Sequence, residues 1–316
     1  MIKSIGGYPE LELKKGEHYH QDAIKLNTAR NCFEYILRVN QYKHVYIPYY
    51  TCEVMLEPII KLGITYTYYH IDHLLEPVEN YTLNPQDAFL YTNYFGLKQD
   101  CAERLAEQYG EQLIIDNAQA FFEKPIKGID TIYSARKFFG VADGAYLYTR
   151  NIIDTDFKFD VSYHRMQHLL LRSDLGAEAG YAEFVKNENL LVGNPISLMS
   201  VLTEKLLCSI DYNKIKDVRC ENYDFLDFSL KKTNNISLLR TSDSIPMVYP
   251  YLTNNINLRR ILIDEHIYVA KYWPNVIDNN NYSYESFIAN NLMPFPCSQS
   301  YNKKDLERIV NIIGRL

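Results

Sequence analysis

The chain has six cysteines (Cys32, Cys52, Cys101, Cys208, Cys220, Cys297) but no CxxC pair and no histidine at metal-ligand spacing from one of them. This excludes a zinc ribbon and a disulfide framework, and predicts reduced thiols in a cytoplasmic setting. A run of apolar residues long enough to span a bilayer is also missing, so no membrane span is expected. The opening stretch MIKSIGGYPELEL lacks the apolar centre of a secretory signal. Lys and Arg form no cluster, and 33 of them stand against 39 Asp and Glu, a formal charge of -6. Binding to nucleic acid by counterion release is therefore not expected. There is no internal repeat and no low-complexity linker. The 28 tyrosines are unusual but carry no functional weight by themselves.

What remains is an ordinary globular composition, 47% apolar and 23% charged, over 316 residues. That length suits one large domain and a smaller one. Residues 31–40 carry apolar side chains at helical spacing, and 44–48 read as a short buried strand ended by proline. Residues 51–63 read as a helix stopped by Gly63, and 64–72 as a strand. The order repeats with a strand at 88–96, a helix at 99–110 and a strand at 113–116. Such alternation means βαβ units and a mostly parallel sheet. Two strands without a helix between them follow at 130–134 and 144–149. Long helical stretches are predicted at 153–189 and 198–231. After that come short strands near 236–240, 247–252 and 267–270, with helices at 255–265 and 303–315. The seam is placed inside the long helix that starts near Leu198, giving a large domain 1–214 and a small α/β domain 215–316.

Three segments carry candidate chemistry. In LIIDNAQAFF (113–122), Asp116 ends a buried strand, where open α/β sheets bind ligands. A desolvated carboxylate there needs a cationic partner, although Asp in this place is equally a helix N-cap. In TIYSARKFFGVADGAYLYT (131–149), Lys137 lies between two apolar strands and beside Phe138 and Phe139, which predicts a shielded amine. A desolvated amine can attack a carbonyl; a surface lysine with a packed stem fits the same residues. Gly140 and Gly144 bracket a turn that lets a ligand approach the backbone. In IKLNTARNCFEYIL (24–37), Asn27, Thr28 and Ala29 open a helix and offer an anion site or an ordinary cap. An anion-type helix start, a strand-end Asp and a later Lys are the three parts that a pyridoxal-phosphate (PLP) enzyme needs in that chain order.

The segments together resemble the DegT/StrS family of PLP-dependent nucleotide-sugar aminotransferases. DNAQA (116–120) is similar to the family's Asp-x-Ala-Gln motif, and SARKFFGVADGA (134–145) to its Ser, Lys and Asp-Gly turn. VYIPYYTCEVMLEPIIKLG (45–63) aligns with its proline-containing strand and following helix, and NYFG (93–96) with a His-Tyr-Gly-like strand end. The likeness covers most of residues 20–150 and is recognisable at GNPISLMS (193–200) and PFPCSQSYNKKDLERI (295–309). It implies PLP fold type I (aspartate-aminotransferase-like), with a mostly parallel mixed sheet in the large domain. It implies pyridoxal 5'-phosphate as cofactor, Lys137 as the Schiff-base lysine and Asp116 on the pyridinium. Gln119 would meet the ring hydroxyl, Ser134, Thr28 and Ala29 the phosphate, and Cys52 the ring face.

The resemblance further implies transamination, from glutamate through pyridoxamine phosphate to a keto sugar nucleotide in surface-polysaccharide or related glycan biosynthesis, by a homodimer. The helical stretches 153–189 and 198–231 would form its two-fold contact. This sequence departs from the pattern in three places. Ser134 and Lys137 are three residues apart, closer than in most members. Cys52 replaces a stacking aromatic, and Ile196 falls where a partner subunit usually lends an Asn. Arg136 then either supplies phosphate contacts or faces solvent. Those departures motivate an alternative, a PLP-fold protein that binds or regulates without transaminase turnover. Dehydration on the same fold is disfavoured, because the family's dehydratases carry His at the lysine position. Gly6, Gly7, Tyr8, Tyr94 and His164 are candidate substrate-side residues.

Overall fold

A computed structural model describes residues 5–276 and 283–316. Its main sheet is built from β1 (Ile24–Leu26), β2 (His44–Pro48), β3 (Thr65–Tyr69), β4 (Asp87–Thr92), β5 (Leu113–Asn117), β6 (Asp130–Ser134) and β7 (Ala145–Tyr148). The spatial order is β1-β7-β6-β5-β4-β2-β3. The pairings from β3 to β6 are parallel, while β7 runs antiparallel to both β6 and β1. This is the mostly parallel mixed sheet that was expected.

Side-chain alternation explains why the sheet is covered on both faces. Val45, Ile47, Ala88, Leu90, Ile114, Ile132, Ala145 and Leu147 point to one side, where they pack with Cys32, Phe33 and Ile36 of helix α1 (Ala29–Val39). Phe89, Tyr91, Leu113, Ile115, Tyr133 and Tyr146 point to the other side. α2 (Leu56–Lys61) tolerates Pro58 because the proline lies in its first turn, before an intrahelical donor is required. α3 (Gln99–Tyr109) links β4 to β5.

Beyond β7 the helices are α4 (Gln167–Leu175), α5 (Ala177–Leu190), α6 (Val201–Cys208) and α7 (Tyr212–Leu230). The helical stretch expected over 153–189 is formed only from Gln167 onward, as α4 and α5. The first part of the stretch is extended, and there Lys158 and Asp160 share backbone hydrogen bonds with Leu198, both 2.9 Å. Gly176, at φ +96°, separates α4 from α5. The stretch 198–231 is broken where Asp211 caps α7 by accepting from the Lys214 amide.

The small sheet pairs β8 (Val248–Leu252) with β9 (Leu292–Pro296), and α8 (Leu258–Asp264), α9 (Tyr284–Asn291) and α10 (Lys303–Ile313) complete the layer. No strand forms at 236–240 or 267–270. The carboxamide of Asn234 takes the amides of Leu252 and Ile236, an edge that the first of these would have needed. β9 instead comes from LMPFP, whose prolines obscure it; in a two-stranded sheet each has an open edge to face. The strand expected at 88–96 stops at Thr92. There the Asn93 and Gln119 carboxamides accept the amides of Lys98 (3.0 Å) and Phe95 (2.9 Å) in place of a ladder.

Candidate active site

The carboxyl ends of β4, β5 and β6 open on one rim of the sheet, where doubly wound folds hold ligands. β5 delivers Asp116, which is 7% exposed and aligned with Thr92 of β4. Its Oδ1 accepts from the Ala118 amide at 2.9 Å, so Asp116 caps a tight turn and not a helix. Burial holds the carboxyl above the usual carboxylate range; the Lys137 ammonium and the Ala118 N–H pull the other way. Asp116 pairs with Ile132 of β6, and β6 runs directly into the turn that ends at Lys137, so the two key residues of the sequence reading lie at neighbouring strand ends.

Gln119 sits at the end of the same turn. Its Oε1 accepts from the Phe95 amide at 2.9 Å, whereas its buried Nε2 has no partner among the described residues. A buried orphan donor is unusual in a folded chain and marks a place for a polar ligand atom. Phe95 holds φ +61° to present that amide. The buried hydroxyl of Thr92 is likewise unpartnered; sequence reasoning missed it, and its only signal was its position at a strand end.

Helix α1 brings its first turn to the same rim. Thr28 caps it by accepting from the Asn31 amide at 3.2 Å, and also bonds the Asn31 carboxamide. Cys32 donates its amide to the Thr28 carbonyl, which leaves the Ala29 and Arg30 N–H groups ahead of the intrahelical ladder. The Asn27 carbonyl accepts from Gly144 at 2.6 Å, and the Gly144 carbonyl accepts from Ala135 at 3.0 Å. These bonds tie the helix start to the lysine turn. Burial raises the Cys32 thiol, and the Asp116 charge adds to the shift.

The lysine turn departs from expectation in two respects. Lys137 is exposed, not shielded. Phe138 and Phe139 point away from it into an aromatic cluster with Phe121, Phe122 and Tyr212. Ala135–Lys137 is a one-turn 3-10 helix, and the tight rotation per residue sends sequence neighbours in different directions. Ser134 ends β6 just before it and is buried. Arg136 does not face solvent: it is ion-paired with Glu188 of α5. Burial and the nearby Arg30 lower it to about 10.

Asp143 and Gly144 anchor the far end of the turn. Asp143 is fully buried and bonded to Arg165 at 2.5 Å and to the Thr203 hydroxyl; Arg165 also pairs with Asp160 at 2.6 Å. Cys52 is half-buried at the end of the segment after β2. Ile196 packs in cis against the apolar cluster under α1, while the neighbouring Asn194 and Pro195 carbonyls accept from Asn31 and Asn27. Of the substrate-side candidates, Tyr94 is buried with its hydroxyl on the Tyr50 carbonyl at 2.8 Å. Gly6, Gly7, Tyr8 and His164 are exposed.

No protein-family model and no curated protein matches the chain. Solved structures do match it in fold. The sugar aminotransferase CalS13 from Micromonospora echinospora superimposes with a TM-score of 0.62 at 14% identity, over 92% of this chain and 86% of that one. DesV of S. venezuelae, solved with a ketimine intermediate, gives 0.63 at 14% identity, over 92% and 83%. The E. coli GDP-4-keto-6-deoxy-D-mannose-3-dehydratase with bound hydrated PLP gives 0.62 at 12% identity, over 92% and 87%. The chain thus has the α/β fold of PLP fold type I enzymes. Among the described residues no helix is long and apolar enough to cross a membrane.

Proposed function

We propose that the chain is a PLP-dependent aminotransferase of the DegT/StrS type, working in the cytoplasm as a homodimer. It would move an amino group from glutamate to a keto group on a sugar nucleotide, in surface-polysaccharide or related glycan biosynthesis. The observation that carries this reading is the meeting of Asp116, Gln119, Lys137 and the first turn of α1 on one sheet rim. The residues fit the cofactor: among the described residues the buried Asp116 carboxylate has no ion-pair partner and the Gln119 Nε2 has no acceptor, and the helix start offers amides to an anion. CalS13 and the E. coli dehydratase show that the fold serves both amination and dehydration. Lys137, where the dehydratases of the family have His, favours amination here.

Bound PLP supplies a reactive aldehyde and a ring that accepts electrons. Thr28, Ala29 and Ser134 would hold its phosphate, and Asp116 would keep its ring nitrogen protonated. Gln119 would donate to its ring hydroxyl, and Cys52 would lie against its face. Lys137 would hold the aldehyde carbon and then move a proton at that carbon as general acid and base. The exposure of Lys137 in one chain and the apolar residues Leu170, Leu175, Tyr181 and Phe184 exposed on α4 and α5 support a second copy covering this side.

The test is direct. Purified protein given PLP should acquire the visible absorption of lysine-bound cofactor, and Lys137→Ala should lack it. A colourless wild type that takes up no PLP ends the reading. Cys52 in place of a broad ring and Ile196 packed, partly buried, against the cluster under α1 favour a second reading, cofactor binding without turnover. Tight PLP uptake with no conversion to pyridoxamine phosphate by any amino donor would establish it.

A further inference from the structure

Lys137 closes a one-turn helix, so the direction of its amine depends on how the turn's backbone is held. From inside, the Ala135 carbonyl accepts from the amides of Phe138 (3.1 Å) and Phe139 (3.0 Å). From outside, two side chains of the later part of the chain reach the carbonyl of Phe138, the residue after the lysine. Gln299 Nε2 donates to it at 2.8 Å and Arg219 Nη2 at 3.4 Å. The Arg219 guanidinium also lies over the Phe138 ring, 4.6 Å from its centroid.

Arg219 is 2% exposed and has no ion pair among the described residues. Its other partners are the carbonyls of Pro246 (3.3 Å) and Met247 (3.1 Å), and burial lowers its guanidinium to about 10. A buried cation balanced only by peptide dipoles and an aromatic face is expensive to keep. An apolar side chain would fill the same space without that cost. The partners it reaches explain its presence. The Met247 amide donates to the Phe95 carbonyl at 2.8 Å, and the Phe95 amide donates to Gln119 Oε1. One guanidinium thus spans the lysine turn on one side and the backbone that holds Gln119 on the other.

We propose that Arg219 and Gln299 are positioning residues for Lys137, fixing the lysine turn in register with Gln119 through the Phe138 carbonyl. The assignment rests on Lys137 being the cofactor lysine. Arg219 belongs to α7 and Gln299 to the segment after β9, so the site is completed by the part of the chain that carries the small sheet.

The test uses Gln299→Leu, Arg219→Met and Arg219→Lys in the full chain. Asn234→Ala serves as a control, because it loosens the small sheet without touching Phe138. Two quantities are read: hydrogen exchange of the 138–141 amides without cofactor, and the rate at which added PLP is trapped on Lys137 by borohydride. Gln299→Leu and Arg219→Met should speed exchange and slow trapping, each roughly tenfold, the scale of one buried hydrogen bond. Arg219→Lys keeps a donor and should recover much of both, and Asn234→Ala should move neither. Should Arg219→Met fail to fold, the Gln299→Leu and Arg219→Lys pair carries the same comparison. Wild-type exchange and trapping in the variants, with normal PLP uptake by the wild type, overturns the positioning role alone. A wild type whose Lys137 takes up no PLP overturns the role together with the function it rests on.

Discussion

Asp116→Asn separates what the buried carboxylate costs the fold from what it gives the cofactor. Asparagine is nearly isosteric, and its Oδ1 keeps the 2.9 Å bond from the Ala118 amide, so no hydrogen bond is lost. What disappears is a charge that burial disfavours and Lys137 only partly offsets. The apoprotein should therefore gain about 1–2 kcal/mol, a rise in Tm of about 1.5–3 °C for a chain of this size. The sign of the pH dependence follows from the raised carboxyl. Below the ordinary carboxylate pKa both states carry a protonated Asp116, and the two proteins should match. As pH rises, the unfolded carboxyl ionises first and wild type loses stability relative to the variant, until the folded carboxyl ionises as well. Thermal unfolding of both apoproteins at pH 4, 6 and 8 measures this gap. Adding PLP should reverse the order at pH 8, because only the carboxylate stabilises a protonated ring nitrogen. An Asn variant no more stable than wild type at pH 8 would refute the reasoning.

Other outcomes follow from single contacts. His20 is 2% exposed between the Phe121 carbonyl at 2.8 Å and the Tyr148 hydroxyl, and burial lowers it from 6.5 to about 4. The unfolded chain binds the proton first, so wild type should lose stability as pH falls from 6.5 toward 4, by about 3 kcal/mol at most; His20→Gln should flatten that slope in urea titrations. Gly144→Ala must hold φ +106° and place a Cβ 2.9 Å from the Thr203 methyl, so it should cost about 2–3 kcal/mol and slow PLP uptake. With Cys52 against the cofactor as proposed, Cys52→Tyr should tighten PLP by about 0.5–1.5 kcal/mol, read from the rate of loss on dialysis.

How much of this was legible follows from where each signal lies. Asp116, Gln119 and Lys137 could be found because β5, β6 and the turn after them are local in sequence, and the apolar runs of 113–116 and 130–134 mark the strands. The alternation of Ala88, Phe89 and Leu90 fixes which face meets α1. The exposure of Lys137 was not legible, because flanking phenylalanines look like a shield until a one-turn helix turns them into the core. Arg219 was not legible either. Nothing near residue 219 marks it as different from the other cations of α7, and its partners, Phe138 and Met247, are set by the packing of distant segments.

The three-residue gap between Ser134 and Lys137 shows how such a departure is absorbed. Ser134 ends a strand and Lys137 closes the single 3-10 turn after it, so the gap spans one turn. A tight turn has few bonds of its own with which to resist displacement. The carbonyl of Phe138 therefore takes its donors from Gln299 and Arg219. A chain with a longer, self-supporting turn would not need a buried cation there. Inserting two residues between Ser134 and Lys137 should accordingly make Arg219→Met less harmful to PLP trapping than it is in the native turn. Equal harm in both backgrounds would show that Arg219 serves the turn for some reason other than its shortness.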